Sequence, residues 1–158
     1  MINDIKIIKA NLNNPLHCQA EIELMRSYME DKMGGVQPHD KTGNYRLISG
    51  LKENPCTLIF LAMEGNRYVG LTNGFVNFAT FAAKKFLNIH DVIVSHEYRG
   101  RGIGKMLLEK NVKWALEKLE CAKVTLEVRE DNTVAKSLYK SLGFEDSTPP
   151  MLYWTKIF

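Results

Sequence analysis

Val92-Ile93-Val94-Ser95-His96-Glu97-Tyr98-Arg99-Gly100-Arg101-Gly102-Ile103-Gly104-Lys105 decides how this chain reads. An apolar run passes into a short turn, and three alternating glycines then open a long helix whose apolar face carries Met106, Leu107, Trp114, Ala115 and Leu119. The first turn of a helix has four N–H groups without internal partners and carries the positive end of the helix dipole. Glycine removes the side chains that keep an anion from those donors. Arg99, Arg101 and Lys105 add charge at the same place. The segment is therefore expected to hold a pyrophosphate. Two well-known phosphate loops do not fit. A Walker loop ends in Gly-Lys followed by Ser or Thr, whereas Arg99 stands where its first glycine belongs and Met106 follows the lysine. A dinucleotide loop begins at the strand end, whereas Ser95 to Arg99 intervene here and Lys105 takes the last glycine's place.

Upstream, Ile5, Ile7 and Ile8 read as a strand, and Asn13-Asn14-Pro15 as a helix start. Leu16, Ala20, Leu24, Tyr28 and Met29 then recur at helical spacing until Gly34-Gly35. A second helix is expected from about Thr42 to Lys52. Thr57–Met63 and Tyr68–Phe81 read as a hairpin turning at Glu64-Gly65-Asn66, with Gly70 or Gly74 marking a bulge. Phe86–Ser95 is the strand that leads into the glycines. Downstream come a strand over Lys123–Glu130, a helix from Asn132 to Leu142 closed by Gly143, and a last strand over Met151–Phe158. This order is that of an α+β protein with a mixed sheet, in a single domain spanning residues 1–158.

The 158 residues are 45% apolar and 25% charged, with a net charge of +3, the balance of an ordinary globular domain. Such mild basicity gives no argument for nucleic acid or a membrane surface as partner. Asp4, Lys6 and Lys9 interrupt any apolar leader, and no run approaches the ~20 apolar residues that span a bilayer. Cys18, Cys56 and Cys121 are unpaired in spacing and read as buried thiols of a reducing, cytoplasmic compartment. No Cys/His pattern suggests a metal.

The remaining Arg-x-x-Gly-x-Gly pattern resembles motif A of the GNAT superfamily of N-acetyltransferases, flanked by Asp91-Val92-Ile93-Val94 and by Lys105-Met106-Leu107-Leu108. A second hallmark follows: Thr125-Leu126-Glu127-Val128, then Asn132, Ala135, Tyr139 and Leu142-Gly143-Phe144. The resemblance is strong from about Phe75 onward and weaker before it. Asn88-Ile89-His90-Asp91 is similar to an Asn-Ile-His-Asp subgroup of bacterial members. The polyamine and diamine acetyltransferases carry Glu-Asp where His90-Asp91 stands.

The resemblance implies a mostly antiparallel, mixed sheet flanked by about four helices. It implies acetyl-coenzyme A as acetyl donor and a small primary amine as acceptor. Val92, Ile93 and Val94 would pair with the pantetheine arm between two splayed parallel strands, as an added strand would. Arg99, Gly100, Arg101, Gly102, Ile103, Gly104 and Lys105 would hold the pyrophosphate, with Lys136 near the phosphates. Asn132 would contact the cofactor, cap its helix, or do both. Tyr139 matches the residue that protonates the departing thiolate, a task suited to a phenol, although a core aromatic fits the same position. Asp91 matches an acid that anchors or deprotonates the amine. His90 has base chemistry available to it, and because strand neighbours face opposite ways the two are not expected to share the cleft. Phe78, Thr80 and Phe81 fall where relatives shape the acceptor pocket, and serve equally as core. His17, His39 and His96 show no partners. Dimerisation through the last strand is a further implication, with Trp154 either in the contact or in the core. Two other functions remain open: a cofactor-binding module without catalysis, and an acetyltransferase acting on peptide N-termini.

Overall fold

A computed structural model describes residues 4–158, which form two compact units, one ending at Glu127 and one comprising Val128–Phe158. The first unit begins with strand β1, Ile5–Lys9, and helix α1, Pro15–Glu30. Asn14 caps α1 by accepting a hydrogen bond from the Leu16 N–H (3.0 Å), with Pro15 at the first position. The helix stops before the expected glycine pair. Asp31 turns extended and accepts from the Met33 N–H (3.0 Å), a side-chain turn that ends the winding locally. Helix α2 covers Lys41–Glu53, capped by Asp40. Strands β2 (Thr57–Glu64), β3 (Arg67–Ala79) and β4 (Lys84–Val94) follow, then a single 3₁₀ turn at His96–Tyr98, helix α3 (Ile103–Glu117) and strand β5 (Val124–Leu126).

The sheet runs in chain order from β1 to β5, antiparallel throughout except for the parallel pair β4–β5. The architecture is thus α+β with a mixed, mostly antiparallel sheet. Both suspected glycines lie at irregularities: the β2–β3 register shifts beside Gly70, and the β3–β4 register shifts at Gly74. Gly70 also allows α3 to pack closely, since a Cβ there would lie 2.8 Å from the Ile93 carbonyl oxygen and 3.3 Å from Leu107. One face of the sheet packs Leu61, Leu71 and Ile93 against Ala20 and Leu24 of α1. Toward α3 the core holds Ile103, Leu107 and Leu108, and Asn111 donates to the Thr72 hydroxyl (2.8 Å). Burying one leucine such as Leu107 contributes about 2 kcal/mol.

In the second unit, helix α4 spans Thr133–Ser141 and is capped by Asn132, whose side chain accepts from the Ala135 N–H (3.1 Å). Gly143, at φ 82°, closes it, with Phe144 N–H donating to the Tyr139 carbonyl (3.1 Å) and Gly143 N–H to that of Lys140 (3.1 Å).

Several expectations are corrected. The strand expected over Lys123–Glu130 shortens to Val124–Leu126, the three residues that pair in register with β4. Residues 151–158 form no strand and have no ladder partner among the described residues, and their apolar side chains are exposed. None of the three cysteines is fully buried: Cys56 is exposed, and Cys18 and Cys121 are half-buried. His17 does have partners: its Nδ1 accepts from the Asn11 N–H (2.8 Å) and its ring meets Tyr68 edge-on. Among the described residues no helix is long and apolar enough to cross a membrane.

Candidate active site

The mouth of α3 is built as a donor surface. Gly100 and Gly102 sit at φ 75° and 77°, a left-handed backbone that favours glycine. Gly102 is the cap residue and supplies no side-chain acceptor for the helix's first amides. The first intrahelical bond is made by the Met106 N–H to the Gly102 carbonyl (3.1 Å). Among the described residues, none of the six N–H groups from Gly100 to Lys105 donates a hydrogen bond. A Cβ added at Gly100 or Gly102 would meet nothing within 4 Å, so the space above these amides is open. Such a run of amides at a positive dipole end binds anions.

The three nearby cations play different parts. Arg99 is a strut: its Nε donates to the Val94 carbonyl (3.1 Å) and its Nη2 to Asp31 Oδ2 (2.9 Å), tying the end of β4 to the end of α1. The bond from the Met33 amide, then that from Arg99, holds the Asp31 carboxyl below its usual range. Arg101 lies over the Tyr98 ring (4.7 Å) and 3.5 Å from Glu64, and Lys105 is 3.8 Å from Glu109. Both cations are about half exposed, although Glu64 is more covered at 22%, and such surface pairs contribute little to stability.

Strand β4 leads into this mouth with one edge open. It pairs with β5 only from Leu87 to Ile89, while Val92, Ile93 and Val94 have β3 as their one strand partner, and the Val94 carbonyl also accepts from Arg99. The parallel pair thus parts after Ile89, as the splayed arrangement requires.

At the point of parting, Asn73 faces Asp91 and Gly74 faces Ile89, so His90 is an extra residue in β4. A bulge of this kind sets two residues opposite one. Asp91 Oδ2 accepts from Asn73 Nδ2 (3.1 Å), while the exposed His90 ring meets Phe75 edge-on at 6.1 Å. Asn73 and Phe75 are alternate residues of β3 and share a face. His90 and Asp91 therefore lie toward the same side of the sheet, contrary to the simple alternation expected of them.

Behind Asp91 is a second acid that the sequence reading missed. Asn73 Nδ2 also donates to Glu21 Oε1 of α1 (2.8 Å), and Glu21 is 0% exposed. Burial pushes the Glu21 carboxyl up to about 7; the Asn73 hydrogen bond opposes this and the Asp91 charge adds to it. Asp91 is raised too, by burial, against the Asn73 bond and the His90 charge. The available signals were an acid at a helical step from Leu24 and Tyr28 on the apolar face, and an amide at the inward position after Leu71.

The expected acceptor residues are not gathered here. Phe78 and Phe81 are exposed, Thr80 lies in the turn after β3, and Phe78 pairs with Lys85, about 20 Å along the strand from Asp91. Asn132, Lys136 and Tyr139 belong to the second unit, where Asn132 caps α4 and the Tyr139 ring lies 6.1 Å from that of Phe144. A shallow depression of about 490 Å³, lined by Lys9, Asn11, Leu51 and Thr57 among others, shares none of these residues.

Comparison with known proteins agrees with this geometry. The model of the acetyltransferase (GNAT) family matches residues 22–144. The thialysine N-epsilon-acetyltransferase of Bos taurus is 34% identical over 85 residues, covering 54% of this chain and 49% of that protein. The ribosomal protein bS18 alanine N-acetyltransferase of Escherichia coli strain K12 is 34% identical over 96 residues, covering 56% and 63%. The chain thus spans between about half and two thirds of the length of these relatives. A crystal structure of a probable acetyltransferase superposes with a TM-score of 0.84 at 22% identity, covering 97% of this chain and 98% of that one, which shows a shared fold. With the family model covering most of its length, from α1 through α4, this chain belongs to the GNAT family of acetyltransferases.

Proposed function

We propose that the protein is a cytoplasmic N-acetyltransferase that moves an acetyl group from acetyl-coenzyme A to the primary amine of a small molecule. One observation carries this reading: a single strand, β4, has an acid at its bulge and an unpaired edge beyond it, and leads into the open amides of α3. The unpaired amides and open space from Gly100 to Lys105 suit the pyrophosphate, and the edge of β4 beyond β5, where Arg99 takes only the Val94 carbonyl, suits the polyamide arm. Asp91 receives the ammonium and takes its proton, with His90 on the same face as a second proton acceptor. A carboxyl raised above its usual range is a better base near neutral pH. The amine then attacks the thioester carbonyl directly, which requires only that both reactants be held in line. In the second unit, Tyr139 supplies the proton for the departing thiolate, Asn132 contacts the donor and Lys136 meets its phosphates. Phe78, Thr80 and Phe81 keep a role only with larger acceptors that reach the hairpin tip.

A thiol-release assay with acetyl-coenzyme A across thialysine, spermidine, aminoglycosides and a peptide with N-terminal alanine tests the reading. Turnover is expected on a small amine. Turnover confined to the peptide would replace the acceptor class, and donor binding without any turnover would leave a non-catalytic module. The exposed side chains of Leu152, Trp154 and Phe158, at 78%, 85% and 106%, suit burial against a second copy. Light scattering is expected to give the mass of a homodimer.

A further inference from the structure

The amide of Asn73 has two hydrogens and spends both on acids, one on Glu21 Oε1 (2.8 Å) and one on Asp91 Oδ2 (3.1 Å). Glu21 and Asn73 are 0% and 2% exposed, and the far oxygens, Glu21 Oε2 and Asn73 Oδ1, are buried without a hydrogen-bond partner. Two carboxyl groups tied to one amide do not both ionise readily, because each charge disfavours the other. The ionisable groups that bear on Glu21 are few. Strand β4 presents Asp91, which itself feels His90; β3 presents the uncharged Asn73; and α1 adds the Met25 sulfur, 3.6 Å from Asn73 Nδ2.

We propose that Glu21 is a positioning residue of the acceptor site: it shares one proton with Asp91 across the Asn73 amide, so the empty pair carries one negative charge, and when a cationic amine docks the pair releases that proton to solvent and carries two. The inference rests on the amine reading above and narrows it, because a single charge that becomes two selects a primary ammonium over a neutral acceptor. The inner acid stays buried while the outer one meets the substrate. Asn73 holds the outer carboxylate at the bulge, where the edge of β4 opens.

The first test is a pH titration of the side-chain carboxyl carbons by NMR on the full chain without substrate. Glu21 is identified by its loss in Glu21→Gln. In the wild type its carbon is expected to titrate at about 7. In Asp91→Asn that midpoint is expected to fall by about one pH unit, a tenfold loss of proton affinity. A Glu21 midpoint in the ordinary carboxylate range, or one indifferent to Asp91→Asn, overturns the proposal. The wild-type titration stands even if a variant fails to fold, since through-bond assignment from the backbone amide identifies the Glu21 carboxyl carbon in the wild type itself. The second test is kinetic, with an alkyl amine that stays cationic between pH 6 and 8. Its KM is expected to fall as pH rises through this window in the wild type and to stay flat in Glu21→Gln. An identical KM step in Glu21→Gln overturns the proposal, whereas a purely structural Glu21 would lower Tm and leave the step in place. The NMR test needs no acceptor, so failure of the amine reading shows in the assay alone.

Discussion

At the mouth of α3, six backbone N–H groups lie open and unpaired; under α1, two carboxyl groups crowd onto one buried amide. The first region invites an anion with groups that never change charge. The second handles a cation with groups that do. On the proposed reading, the contrast separates the two tasks of an acetyl transfer: holding a pyrophosphate-bearing donor at any pH, and accepting a proton from an amine. It also separates their sensitivities, since the donor site depends on backbone conformation and the acceptor site on burial and on a neighbouring charge.

The largest expected effect falls on the backbone side. Gly102→Val places a branched side chain at φ 77° above the open amides. Losing two charge-assisted bonds of roughly 2 kcal/mol each should weaken acetyl-coenzyme A binding about 10³-fold by calorimetry. Gly65→Ala, at φ 58° in the β2–β3 turn, carries similar strain and should lower Tm while leaving that affinity intact. If both variants bind equally well, the mouth of α3 is not the donor site.

On the acid side, Asp91→Asn should lower kcat/KM for the amine about 10²-fold with unchanged donor affinity, and Tyr139→Phe should lower kcat by a similar factor. Unaltered turnover in either variant removes that residue from the proton transfers.

A smaller effect distinguishes Glu21 by stability. Its proton affinity is higher in the folded chain than in the unfolded one. Between the unfolded value of 4.5 and the folded value of about 7, the folded state therefore holds a proton that the unfolded state has released, and stability falls as pH rises. From pH 5 to 7 the wild type should lose about 2 kcal/mol relative to Glu21→Gln in urea unfolding. Parallel stability profiles for the two proteins would mean that Glu21 is hydrated rather than buried.

The two regions also differ in what the sequence reveals. The α3 mouth is local: a strand, a turn and three alternating glycines within fourteen residues state both the conformation and its charge. The acid pair is not. Glu21 and Asn73 are separated by 52 residues, and they meet only because register and helix packing bring them together. Gly74 signalled a bulge, but not that the extra residue would be His90 on the opposite strand, which turns it to the face of Asp91. The strand expected over Lys123–Glu130 was read from its alternation, yet ladder partners set its length. Apolar content at Met151–Phe158 likewise suggested a strand, where residues 151–158 form none among the described residues.

The most direct measurement follows the backbone amide signals of Gly100 to Lys105 by ¹⁵N–¹H NMR while coenzyme A, and separately inorganic pyrophosphate, is added to the full chain. These six signals should move strongly and saturate with both ligands, while those around Asn73 and Asp91 respond to coenzyme A alone. Saturable coenzyme A binding that leaves the six amides still would contradict the account.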